Sequence, residues 1–155
     1  MSIENIQEVL LECYSKDLCY PKIQDAWNEN NKCFGMCDIT SLIINDYFGG
    51  DICKIYVDGI SHYFNLMEDK IIDLTSSQFN QEVDYKDYQI IDREKILTDD
   101  TKNRYNILKA RLIKELLKQV DEKVYSCKSC DKLVDKFPND ATVFLGKDQT
   151  IVLVG

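Results

Sequence analysis

The run GMCDITSLIINDYFGGDICKIYVDGISHYFNLMEDKIIDLTSSQF, residues 35–79, decides the fold. Ile39, Leu42, Ile43 and Tyr47 recur at helical spacing from Cys37 to about Phe48. Ile44 lies beside that stripe, so this helix is expected to be buried on more than one side. Gly49-Gly50 stops it, because glycine takes the left-handed cap conformation without a Cβ penalty. Three strand patterns follow. Residues 52–58 end in Asp58-Gly59, a hairpin turn dipeptide. Residues 60–66 alternate, with Ile60, His62, Phe64 and Leu66 on one face and Ser61, Tyr63 and Asn65 on the other. Residues 70–75 return through a turn centred on Glu68-Asp69. A loop of two or four residues sets Leu66 opposite Ile71 and Phe64 opposite Asp73, which makes His62 and Asp73 diagonal neighbours on one face. A loop of odd length would put them on opposite faces.

Cys37, His62 and Asp73 therefore come in the order nucleophile, base, orienter, and His62 is the one histidine of the chain. Acyl transfer by cysteine needs a thiolate, a proton carrier within hydrogen-bond reach and donors for the oxyanion. A cysteine in the first turn of a helix meets free N–H groups and the positive end of the helix dipole, which favour the thiolate. His62 would take the proton, and Asp73 would fix its tautomer and stabilise the imidazolium. Each residue also has a plain structural reading. A buried cysteine at a helix start can be simple packing, and a histidine on an apolar strand face can be structural. Asp73 could cap the turn that follows it. Their joint arrangement favours chemistry.

Around this centre the remaining segments read as support. Ser2 can cap a helix to about Cys13, with Ile3, Ile6, Val9, Leu10 and Cys13 on one side. Residues 14–34 show no period and are expected to be irregular, with one helical turn near 24–28, in a loop long enough to line a cleft. Residues 78–96 suggest an edge strand or surface loop. A long helix should begin at Asp99 or Asp100 and run to about Val120, with Tyr105, Leu108, Leu112, Leu116 or Leu117, and Val120 in its apolar stripe. The segment 141–155 reads as a hairpin turning at Lys147-Asp148.

With 155 residues, 45% hydrophobic and 30% charged, the chain is expected to be one soluble domain, with its core in 14–113 and an accessory tail in 121–155. A net charge of -8 argues against a nucleic-acid partner, which needs clustered Lys and Arg. The first residues have no basic leader and no long apolar run, and nothing approaches a membrane span, so no membrane partner is expected. Seven cysteines, an odd number, fit free thiols and a cytoplasmic location better than a disulfide scaffold. Cys127 and Cys130 form a CxxC that could supply two of the four ligands of a structural zinc. The expectation is two reduced thiols and no cofactor.

The helix-opening cysteine followed by histidine and aspartate on successive strands resembles the transglutaminase-like and NlpC/P60-like branches of the papain-like cysteine enzymes. A closer resemblance is to the YunG-like family of bacterial proteins. It is carried by Trp27, Gly35 with Cys37, NDYFGGDI (45–52), SHYFN (61–65), IDLTSSQF (72–79) and RYNILKARL (104–112). By position, the resemblance implies Cys37 as nucleophile, His62 as base and Asp73 as third member. It departs where that pattern has Gln before the cysteine and small apolar residues after it: here Met36 and Asp38 flank Cys37. Asn31, or its neighbour Asn30, is then the candidate for an oxyanion donor, with Trp27 as a cleft residue. Asp38 would tend to raise the thiol pKa.

The expected fold is α+β, a nucleophile helix on a small antiparallel sheet with a long C-terminal helix and a terminal hairpin. The expected function is a cysteine-dependent acyl-transfer enzyme. It would act on a small-molecule or peptide or protein amide or ester, passing the acyl group to water or to an amine. The alternative is a non-catalytic binding module that keeps the fold.

Overall fold

The computed structural model describes residues 1–126, 142–145 and 151–154, with side chains described as far as residue 120. Helix α1 spans Ile3–Cys13, and the Ser2 hydroxyl accepts from the Asn5 N–H at 3.1 Å to cap it. The connector that follows is wound into three short 3-10 turns, Lys16–Leu18, Pro21–Ala26 and Glu29–Asn31, more than the single turn expected there. Pro21 starts the longest of them, where its missing N–H costs nothing.

Helix α2 spans Cys37–Phe48 as the pattern required, and its backbone turns left-handed at Gly49 (φ 74°). Seven consecutive residues from Asp38 to Ile44 are buried, so it is enclosed on several sides. Strands β1 (Asp51–Val57), β2 (Ile60–Met67), β3 (Lys70–Ile72) and β4 (Gln89–Ile91) form one antiparallel sheet in the order β3-β2-β1-β4. The β2–β3 loop holds two residues, Glu68 and Asp69, and Leu66 sits opposite Ile71. Strand β3 is three residues shorter than its pattern. Asp73 leaves the ladder because its carboxylate takes bonds from Thr75 and His62 instead.

Strand alternation gives the sheet two buried faces. Ile52, Tyr63, Asn65 and Ile72 turn toward α2, and Asn65 donates to the Ser41 carbonyl at 2.9 Å. Cys53, Ile55, Val57 and Phe64 turn the other way, under Val83, Phe79 and Tyr85 of the β3–β4 connector. A short helix α3 (Arg93–Ile96), capped by Asp92, leads into α4 (Asp99–Ser126), which covers α1 and α2 through Tyr105, Leu108, Leu112 and Leu116. Strands β5 (Thr142–Leu145) and β6 (Ile151–Val154) pair as a hairpin. The result is a mixed α+β chain with a small antiparallel sheet and a long helix near its C-terminal end. Cys127 and Cys130, the zinc candidates, lie outside the described residues. Among the described residues no helix is long and apolar enough to cross a membrane, and no group of three or more His, Cys, Asp or Glu could hold a metal ion.

Candidate active site

Residues that leave the sheet at Asp73 fold back against β2 and build a densely bonded polar group. His62 Nε2 lies 2.6 Å from Asp73 Oδ2, with the ring fully buried and the carboxylate 3% exposed. The same oxygen accepts from the Tyr85 hydroxyl at 2.8 Å, and Oδ1 accepts from the Thr75 N–H at 3.0 Å and the Thr75 hydroxyl at 3.3 Å. Phe79 packs edge-on against the imidazole, with ring centroids 4.8 Å apart. A carboxylate that fully supplied with donors fixes the tautomer: Nε2 carries the hydrogen, and Nδ1 keeps the lone pair.

Nδ1 is covered by Gln78, whose amide nitrogen lies 3.3 Å away and also donates to the Thr75 carbonyl at 3.1 Å. The amide oxygen of Gln78 accepts from the Gly35 N–H at 3.4 Å. Gln78 is itself held from below, since Asn31 donates to its backbone carbonyl at 3.1 Å. The structure thus spends the Asn31 amide on Gln78. Trp27 donates its indole N–H to the Lys32 carbonyl at 3.1 Å and packs against the α2 side of the core. Neither Asn31 nor Trp27 is among the residues that line the cavity beside Cys37. Gln78 went unnoticed in the sequence because it falls in an irregular segment, although the motif IDLTSSQF contains it.

That cavity, about 330 Å³, is walled by Tyr20, Ile23, Ile60, Tyr63 and Ile96, with Ser61, Gln78, Lys95, Thr98 and Thr101 as its polar members and Cys37 and Asp38 at the start of α2. Cys37 is half-buried. Its thiol is pushed up from 9.0 to about 12, by burial above all and then by the charge of Asp38; backbone N–H groups of Tyr63 and Asp38 pull the other way. The helix terminus therefore does not win at this cysteine, because desolvation and the neighbouring carboxylate outweigh it.

Asp38 is buried and tied to α4. Arg104 meets it with two nitrogens, at 2.5 Å and 3.2 Å, and Thr101 donates to it at 3.3 Å. Arg104 also donates to the Leu18 carbonyl and to Asp100, and stacks over Tyr20. This forked contact satisfies a largely buried carboxylate.

The three residues picked from the sequence are thus arranged as a pair and a neighbour. His62 and Asp73 are bonded. Cys37 belongs to the helix on the opposite face of β2, and its sulfur rests against the backbone N–H of Tyr63, the residue after His62. Strand β3 pairs with residues 65–67 of β2, so among the described residues the strand edge at His62 and Tyr63 has no partner strand. Gln78 crosses that edge: it lines the Cys37 cavity and bonds the free nitrogen of His62.

Comparison with known proteins gives one consistent answer. A family model described as "YunG protein" matches residues 2–117. The chain is 29% identical over 107 residues to "Uncharacterized protein YunG" of Bacillus subtilis (strain 168), covering 69% of this chain and 88% of that protein. No solved structure matches.

Proposed function

Starting from a chain that belongs to the YunG family, we propose that it is a cysteine-dependent acyl-transfer enzyme with a papain-like core, in which Cys37 attacks, His62 carries the proton and Asp73 orients His62. The observation that carries this reading is the 2.6 Å contact between His62 Nε2 and Asp73, which leaves Nδ1 as a lone-pair base, bridged by Gln78 to the wall of the Cys37 cavity. Entry of an acyl donor into the cavity moves the Gln78 amide off Nδ1. The Cys37 S–H proton then passes to Nδ1 as sulfur bonds the carbonyl carbon. The imidazolium, held by Asp73, returns that proton to the departing amine or alkoxide, leaving a thioester on Cys37. Water or an amine attacks the thioester and gives its proton to Nδ1, and the imidazolium passes that proton to the departing sulfur, which restores the thiol. Because the resting thiol sits near 12, the proton moves during attack rather than beforehand.

The test is acylation of the whole protein by p-nitrophenyl acetate at pH 8, followed by mapping of the acetylated thiol. Selective labelling of Cys37, lost in His62→Ala and reduced in Asp73→Asn, supports the enzyme. Labelling no faster than at Cys13 or Cys53, or unchanged in His62→Ala, overturns it. One observation favours a second reading, a binding module without catalysis: both ring nitrogens of His62 are already occupied and Cys37 is held as a thiol. On that reading the cavity binds its ligand equally well in Cys37→Ser and in the natural chain.

A further inference from the structure

The cavity beside Cys37 has an uneven charge, and that unevenness says what it would take. Two of its lining residues are charged, Asp38 and Lys95. Asp38 is held by the two-pronged contact of Arg104, a guanidinium it shares with Asp100, so its charge is offset in part and still bears on Cys37. Lys95, at the exposed end of α3, has no ion pair among the described residues. A second cation stands next to the wall: Lys54 lies over the ring of Tyr63, 5.9 Å from its centroid, and over Tyr56 at 5.0 Å. The proximity of Lys54 also lowers the Tyr56 hydroxyl below its ordinary range, through a hydrogen bond first and its charge second. The other carboxylate near the site, Asp73, faces away from the cavity toward His62 and Tyr85. Asp58 accepts from Gln81. Glu94 and Asp99 are exposed and do not line the cavity.

A protein with net charge -8 that sets one unpaired lysine in the wall of a half-apolar cavity and a second beside a wall tyrosine has made a local exception. We infer that this cavity accepts an anionic acyl donor, an amide or ester whose acyl or leaving portion carries a carboxylate. Lys95 and Lys54 would attract that group, and Ile23, Ile60 and the rings of Tyr20 and Tyr63 would enclose the carbon chain between it and the carbonyl. The inference rests on Cys37 being the reacting atom.

Alkylation with a matched pair of reagents tests it on the whole protein. Iodoacetate carries the carboxylate and iodoacetamide does not. The rate of each at Cys37 is followed by peptide mapping at pH 8.5 and low salt, under reducing-agent-free conditions, and divided by the rate in the urea-unfolded chain. The expected result is a normalised iodoacetate preference on the order of tenfold, shrinking in high salt and in Lys95→Gln or Lys54→Gln. Lys102→Gln, an exposed lysine that does not line the cavity, should leave it unchanged. A normalised ratio near one, a ratio indifferent to Lys95→Gln and Lys54→Gln, or a Cys37 closed to both reagents overturns the inference. The catalytic reading fails separately, by an iodoacetamide rate that does not change in His62→Ala.

Discussion

Gln78 is the residue through which the two halves of the site communicate, and its amide is fully used: one hydrogen to Thr75, one to His62 Nδ1, its oxygen to Gly35. Shortening it to alanine uncovers the lone pair of His62 without disturbing Asp73. Gln78→Ala should therefore acylate at Cys37 several-fold faster with p-nitrophenyl acetate, the same assay in which His62→Ala loses the reaction. An unchanged rate would mean that Gln78 is not what separates base from thiol. Period-2 alternation places His62 and Asp73 on one face only if the loop between their strands has an even length, which the sequence leaves open; the two-residue turn of the structure selects that register. Gln78, Tyr85 and Arg104 were not legible as site residues. They reach the site from an irregular connector and from a distant helix, and neither kind of approach leaves a period to read. Asn31 is an oxyanion candidate from its place shortly before Cys37 and Trp27 a cleft candidate from the family motif, while the structure gives each side chain to a backbone carbonyl.

At the scale of elements, α2 is positioned by what happens at its two ends. Its first turn is locked to α4 by Asp38 and Arg104, whose side chains are 11% and 3% exposed. Arg104→Met keeps much of the volume but strands a buried carboxylate beside Cys37, and should cost about 3–5 kcal/mol of stability in urea unfolding. Its last turn ends in two left-handed glycines that differ in their surroundings. A Cβ at Gly50 would overlap the Leu66 carbonyl oxygen and crowd Met67, whereas a Cβ at Gly49 meets open space. Gly50→Ala should thus destabilise by about 1–3 kcal/mol and Gly49→Ala by distinctly less, read from the same unfolding curves. The helices α1, α2 and α4 and the strands β1 and β2 were readable because each repeats its apolar residues over several turns or pleats. The single turns between α1 and α2 and the four-residue α3 are too short to carry such a signal.

For the whole molecule, the buried thiols dictate how stability responds to alkali. Burial raises Cys13, Cys19 and Cys53 from 9.0 to about 11, and Cys37 to about 12. Each folded pKa lies above its unfolded value, so the unfolded chain gives up these protons first. Their contribution is whole below about pH 9 and is lost as pH rises toward 11 and 12. The melting temperature in the presence of a thiol reductant should hold steady from pH 7 to about 9 and fall steeply beyond it, and Cys53→Ala should soften that fall. A flat profile to pH 11 would contradict the burial of these groups.

The loop between β2 and β3 sets the His62–Asp73 register with two residues, Glu68 (φ 47°) and Asp69 (φ 63°), that are both left-handed and neither of which is glycine. Such geometry costs about 1–2 kcal/mol for each ordinary side chain, and Asn-Gly adopts it freely. An Asn-Gly graft at 68–69 would relax the hairpin while keeping its length. It would give a sturdier host chain in which disruptive exchanges such as Arg104→Met remain folded enough to assay, so that loss of chemistry could be told apart from loss of structure.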